Sequence, residues 1–354
     1  MSNDQSLLDR VEMPSIPEAA MKKIAILEEQ FSRAEVEQLR HSIKLTAPLI
    51  QKRSEIINIP DVQAEFWMRV FASAPPEIDE YILSRDAQVL GESLKNMNVE
   101  RFELDAQCNG EPRSLRFTFE FKTGEENPFF TNEKLVKEFY WRQKVSKNAA
   151  GKTRTWEGLV SEPVRINWKK DMDLTKGMLD AACDLAEAEK KKGGDRRKLP
   201  EFAALVKKVE EAEAEADAED DEDEDPSPVG MSFFGFFGYR GRDVSAAQSK
   251  EAAKEIEARW AKIQKGEDIE DAGDSDSEDE EDESEGLEEI EIFPYGDSLA
   301  VSIAEDIWPD ALSYYVQSFQ MGEELEDMDL DMEEMDGDDS DEESESRPRK
   351  KARN

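Results

Sequence analysis

The chain has 354 residues, with 46 Lys and Arg against 86 Asp and Glu, one histidine and two cysteines, for a formal net charge of −40. A chain this negative disfavours direct contact with DNA or an anionic membrane, and two distant cysteines, Cys108 and Cys183, argue against a disulfide scaffold and fit a reducing compartment. One histidine, no GxxxxGK[ST] and no GxGxxG remove the usual triads, zinc sites and nucleotide loops, so no catalytic residue, metal ligand or cofactor is nominated. The start, MSNDQSLLDR, has no apolar signal core, and no 18-residue apolar run occurs, which predicts a soluble intracellular protein. Nearly all the charge sits in three tracts free of Lys and Arg. Glu211 to Asp225, Asp274 to Glu291 and Glu323 to Glu345 hold 11, 12 and 15 carboxylates. Such blocks repel, stay disordered and act as interaction tails for basic partners, or as plain solubility spacers.

The first predicted element is a helix from about Glu18 to Ile59. Ser15-Ile16-Pro17-Glu18 resembles a capping box, and Asn58 and Pro60 close it. Ile24, Leu27 and Phe31 form one apolar seam. Val36, Leu39, Ile43 and Ile50 form a second, continued by Ile57, and the five-residue step from Phe31 breaks the phase as a stutter would. Pro48 predicts a bend. Forty helical residues span roughly 60 Å. The stripe either packs within the chain or pairs with a second copy, and its length favours the second copy.

From Asp61 to Thr175 the pattern is mixed. Phe66, Trp67, Val70 and Phe71 predict a short buried helix ending at Pro75-Pro76. Val99 to Leu104, Leu115 to Phe121 and Val164 to Trp168 read as strands, while Leu135, Val136, Phe139 and Tyr140 fit a short helix. Antiparallel strands with segregated helices make the class α+β. Residues 177–230 and 239–286 read as insertions, the second with a charged helix near Glu251 to Ile263. Between them Met231-Ser232-Phe233-Phe234-Gly235-Phe236-Phe237 must be buried. The body returns over Leu287 to Tyr315.

Several segments resemble the nucleosome assembly protein family, especially its SET (template-activating factor) subgroup. They are Pro48 to Ile57, Phe66-Trp67 with Val70-Phe71 and Ala74-Pro75, Ile166-Asn167-Trp168-Lys169-Lys170 with Asp173 to Lys176, Ser232 to Phe237, and Glu305-Asp306-Ile307-Trp308-Pro309-Asp310-Ala311-Leu312-Ser313-Tyr314-Tyr315. They stand in family order over residues 18–318. The resemblance implies a flexible start at 1–17, a dimerisation helix at 18–60, an α+β "earmuff" domain at 61–320 whose antiparallel sheet is covered by helices, and a disordered acidic tail with a basic end at 321–354. It implies a homodimer held through Ile24, Leu27, Phe31, Val36, Leu39, Ile43 and Ile50. It also implies a non-enzymatic histone chaperone, with core histones as partners and DNA reached only through them. Glu288, Glu289, Glu291, Asp297, Glu305 and Asp306 are the expected histone contacts, or else solvated face residues. Trp168, Phe233, Phe234 and Trp308 are expected in the core. The alternative is an acidic scaffold for other basic nuclear or ribosomal proteins.

Ser275, Ser277 and Ser340 each precede an acidic residue by three positions, which suits an acid-directed kinase. Arg347, Arg349, Lys350, Lys351 and Arg353 read as a nuclear localisation signal for an import receptor, in a protein shuttling between nucleus and cytoplasm. The other reading folds this cluster back onto the acidic tail.

Overall fold

A computed structural model describes residues 16–147, 153–216, 231–265 and 290–321. Helix α1, Glu18–Ile57, runs 40 residues, with Pro48 inside it and Pro17 at its N-cap without a side-chain cap bond. The two apolar seams are two faces of this one helix, not one seam with a phase break. At about 100° per residue, Ile24, Leu27 and Phe31 align with Leu45, Leu49 and Ile56, and these six are 41–61% exposed. The other face carries half-buried Val36, Leu39 and Ile43. It ends on Ile50, packed against the core, and buried Ile57.

The C-terminal end of α1 is fixed to the domain by a buried cation. Arg53 donates through Nη1 to the Trp308 carbonyl, and its guanidinium lies 4.0 Å from the Trp308 ring centroid. Trp308 stacks on Trp67 at 5.9 Å and 6°, and the Trp67 indole N–H donates to Asn96 Oδ1 at 3.0 Å. Burial pulls the Arg53 guanidinium down to about 10.

Short helices follow: α2 Pro60–Gln63, α3 Phe66–Ala72, α4 Pro76–Asp79 and α5 Ser84–Ser93. The sheet is antiparallel in the order β1-β2-β3-β4, with β1 Leu94–Glu100, β2 Leu115–Phe121, β3 Lys134–Lys147 and β4 Thr153–Ser161. The clean alternation of β2 places Leu115, Phe117, Phe119 and Phe121 inward. Three sequence expectations need correction. The first strand lies earlier than Val99 to Leu104, because a register shift between Leu94 and Asn96 breaks its alternation. The predicted helix around Leu135 is the 14-residue strand β3, whose inward row runs Leu135, Lys137, Phe139, so a lysine hides the period of two. Val164 to Trp168 forms no strand; Trp168 makes an isolated antiparallel bridge to Phe130. In the Asn109-Gly110 turn, Gly110 has φ +118, and a Cβ there would meet the Glu103 carbonyl at 2.0 Å.

The predicted insertions are partly core. Helix α6, Met178–Lys192, buries Met178, Leu179, Ala182, Cys183 and Leu185, and α7, Pro200–Ala216, buries Leu205. The first acidic tract begins on α7. Cys183 is a free, buried thiol, and burial pushes it up to about 11. Helix α8, Ala246–Gln264, packs on β3, and Arg33 of α1 reaches it, with a 2.8 Å ion pair to Glu257 and its guanidinium 5.0 Å from the Trp260 ring.

The aromatic segment forms a 3-10 turn, Phe233–Gly238, lying on the sheet. Phe236 meets Phe139 at 5.2 Å and Phe237 meets Phe119 at 5.5 Å. Asp86 of α5 pins the turn by accepting from the Ser232 hydroxyl at 2.5 Å and the Phe233 amide at 2.8 Å. The chain closes with α9, Gly296–Ser302, a π-turn over Ile303–Ile307, and a helix, α10, over 308–321.

Candidate binding surface for basic partners

The predicted contact residues divide three ways. Glu288 and Glu289 lie outside the described residues, as do Ser275, Ser277, Ser340 and Arg347 to Arg353. Asp297, Glu305 and Asp306 lie along the α9 and π-turn stretch. Asp297 sits in the first turn of α9, where a carboxylate meets the positive end of the helix dipole. Glu305 is exposed and pairs with Arg101 at 3.1 Å. Asp306 accepts from the Tyr314 hydroxyl at 2.6 Å; burial first, and this carboxylate second, push the phenol up to about 12.

Glu291 is different. Its Oε2 accepts from the backbone amides of Arg240 and Gly241, each at 2.9 Å. Desolvation raises its pKa above the usual carboxylate range. This half-exposed carboxylate acts electrostatically on Lys137. Lys137 is fully buried and donates to the carbonyls of Glu162 at 2.9 Å, Phe237 at 3.1 Å and Tyr239 at 2.6 Å. Three acceptors match the three N–H groups of an ammonium. Desolvation nonetheless draws its pKa down to about 7.

The structure adds carboxylates that sequence reasoning missed. Helix α4 packs against α9 and carries Glu77 and Asp79, with Glu80 at its C-cap, all exposed around the buried anchor Ile78. Glu77 and Asp310 act electrostatically on Tyr314 together with Asp306. Glu77, Asp79, Glu80, Asp297, Asp306 and Asp310 make no ion pair within the described residues. The only signal in the sequence was the dense Pro76-Glu77-Ile78-Asp79-Glu80 run. The result is an open acidic band, suited to many screened contacts with a cationic protein.

The family profile described as Nucleosome assembly protein (NAP) matches residues 59–318, and the chain belongs to that family. It is 34% identical over 155 residues to a putative nucleosome assembly protein of Schizosaccharomyces pombe, covering 44% of this chain and 59% of the relative. It is 28% identical over 169 residues to Protein SET of Drosophila melanogaster, covering 48% of this chain and 51% of that protein. The chain thus spans little more than half the length of these two relatives. Two crystal structures, of Ccp1 and a Ccp1 mutant, are similar at TM-scores of 0.46 and 0.47, both at 21% identity. They cover 85% and 86% of this chain, and 96% and 98% of the matched chains.

Proposed function

We propose that this protein is a histone chaperone working as a homodimer. The observation that carries the reading is the segregation of charge: about 38 carboxylates in three tracts account for nearly all of the net −40, on a body of the nucleosome assembly protein family. Free histones neutralise DNA phosphates nonspecifically. A competing polyanion prevents that, and because its contacts are individually weak and screened it can also release its cargo. The tracts supply capture and encounter rate. The folded band of Glu77, Asp79, Glu80, Asp297, Glu305, Asp306 and Asp310 supplies orientation, with Glu288 and Glu289 contributing from the second tract. The exposed face of α1 is the dimer contact.

The test is binding to separate core-histone pairs at near-physiological salt, with and without residues 322–354. Deletion of the tail should weaken binding about tenfold and leave a measurable remainder. Complete loss at low salt would remove any role for the folded band. Preference for ribosomal proteins over histones in the same assay would favour the broader acidic-scaffold reading. The reading places the protein in the nucleus, with Arg347 to Arg353 as its address. Deleting 347–354 from a fluorescent fusion should shift it to the cytoplasm, and unchanged nuclear accumulation would remove that role.

A further inference from the structure

Helix α10 is seated along one side only. Trp308 and Ala311 are buried, and the Tyr315 ring packs on Phe66 at 4.9 Å. Next to that seat Leu312, Val316 and Phe319 stand 37, 55 and 40% exposed. At about 100° per residue the three fall within about 60° of one another, so they form one apolar stripe along the helix. Residues 311–321 carry no charged side chain.

The described helix ends at Met321, and the next residue is Gly322. A glycine just past a helix end readily takes the left-handed conformation that lets a chain reverse. Beyond it the acidic sequence keeps a second apolar row, Leu325, Met328 and Met332, at steps of three and four. The two rows are mirror images about Gly322. Phe319 and Leu325 stand three residues from it, Val316 and Met328 six, Leu312 and Met332 ten. An antiparallel helical hairpin with its turn at Gly322 brings each pair face to face.

We propose that residues 325–335 fold back as a short helix on the Leu312, Val316 and Phe319 stripe of α10. Leu, Met and Glu favour helix. A segment this short is too short to hold a helix alone in water, so it needs the stripe to form. Methionine suits the seat, since its unbranched thioether fills an uneven apolar surface. The tether is the turn itself, and a weak contact suffices at the high effective concentration a short tether sets. The acidic segment meets no charge on residues 311–321; its cost is repulsion from Asp306 and Asp310 on the preceding turns. Salt screens that cost, so docking strengthens as salt rises, opposite in sign to capture of a basic partner. The dock holds the first half of the third acidic tract along α10 and leaves 336–354 to reach outward. It is independent of the histone reading.

The test is amide hydrogen exchange read by mass spectrometry on the purified full chain, free of histones, at about 0.05 and about 0.5 M salt. Amides of 325–335 should exchange at least tenfold more slowly than in the same sequence as a free peptide, and more slowly still at the higher salt. The double variant Met328→Asp with Met332→Asp changes only the tail. It should bring those amides to the free-peptide rate and speed exchange over 316–321 at least threefold. Val316→Asp, at an exposed site and with an unchanged circular dichroism spectrum, should release 325–335 as fully. Free-peptide rates in the parent chain at both salts would overturn the proposal, as would protection of 325–335 that survives either variant. Light scattering checks the other occupant: if Val316→Asp turned a dimer into a monomer, the stripe would belong to a second copy and the proposal would fall.

Discussion

Lys137→Met is expected to cost the fold about 3 kcal/mol, because it removes a fully buried donor from three carbonyls, each worth about 1–3 kcal/mol if left unpaired. The substitution keeps an apolar stem of similar length, so packing is nearly preserved. What it removes is the donor to the carbonyls of Glu162, Phe237 and Tyr239 and the positive charge facing Glu291. The lost donor to the Glu162 and Tyr239 carbonyls is the dominant loss, since the Phe237 carbonyl keeps the Val164 amide at 2.8 Å. Urea denaturation followed by tryptophan fluorescence measures the effect. The double variant Lys137→Met with Glu291→Gln should lose less than the sum of the two single changes, because the second removes the stranded charge. A loss below about 1 kcal/mol for Lys137→Met would mean that the strand, the aromatic turn and the 290–293 segment are held together by packing alone.

Glutamates at Leu45 and Leu49 should convert a dimer into a monomer. These side chains are each 59% exposed on the face of α1 that also carries Phe31 at 61%. Burying that face against a second copy removes it from water, at roughly 25 cal/mol per Å². Two charges in its middle should weaken association by more than a hundredfold. Light scattering should give about twice 40.3 kDa for the parent chain at micromolar concentration and the single mass for L45E/L49E. Glutamates at Val36 and Ile43, on the half-buried face, should instead lower stability while leaving association largely intact. If the effects of the two pairs were reversed, the half-buried face would be the dimer contact.

Much of this fold was legible from residue pattern. α1, the helix at Phe66, strand β2 and the burial of Phe233 to Phe237 follow from periodicity and aromatic density, because at those places one strong signal dominates. Elsewhere local pattern and tertiary need diverged. Lys137 occupies an inward position of β3 because three carbonyls from other segments converge on it, and nothing local announces that. The shift between Leu94 and Asn96 disguised β1 in the same way. On α1 the heptad spacing through Val36 and Ile43 is the stronger local signal, and the second face through Leu45, Leu49 and Ile56 shows only in the folded helix. Charged stretches read as insertions turned out to bury an inner face, as Leu179 and Leu185 do on α6.

The acidic band was harder to read than the fold. Asp297, Glu305 and Asp306 came from their place in a family-like segment, whereas Glu77, Asp79 and Glu80 join them only because α4 packs against α9, more than 200 residues later in the sequence. Glu291, the one described carboxylate of the second acidic tract, accepts from the Arg240 and Gly241 amides and acts electrostatically on Lys137. Composition counts carboxylates, but only packing separates those that meet a partner from those that hold the body together.

The central claim is that a polyanionic protein of this family captures basic histones through many screened contacts. The most direct measurement is the affinity of the full chain for a purified core-histone pair between about 0.1 and 0.5 M salt, an interval over which the Debye length shrinks about twofold. The account predicts clear binding at the low end and a loss of at least tenfold across the range. Absence of binding at 0.1 M, or an affinity indifferent to salt, would contradict it.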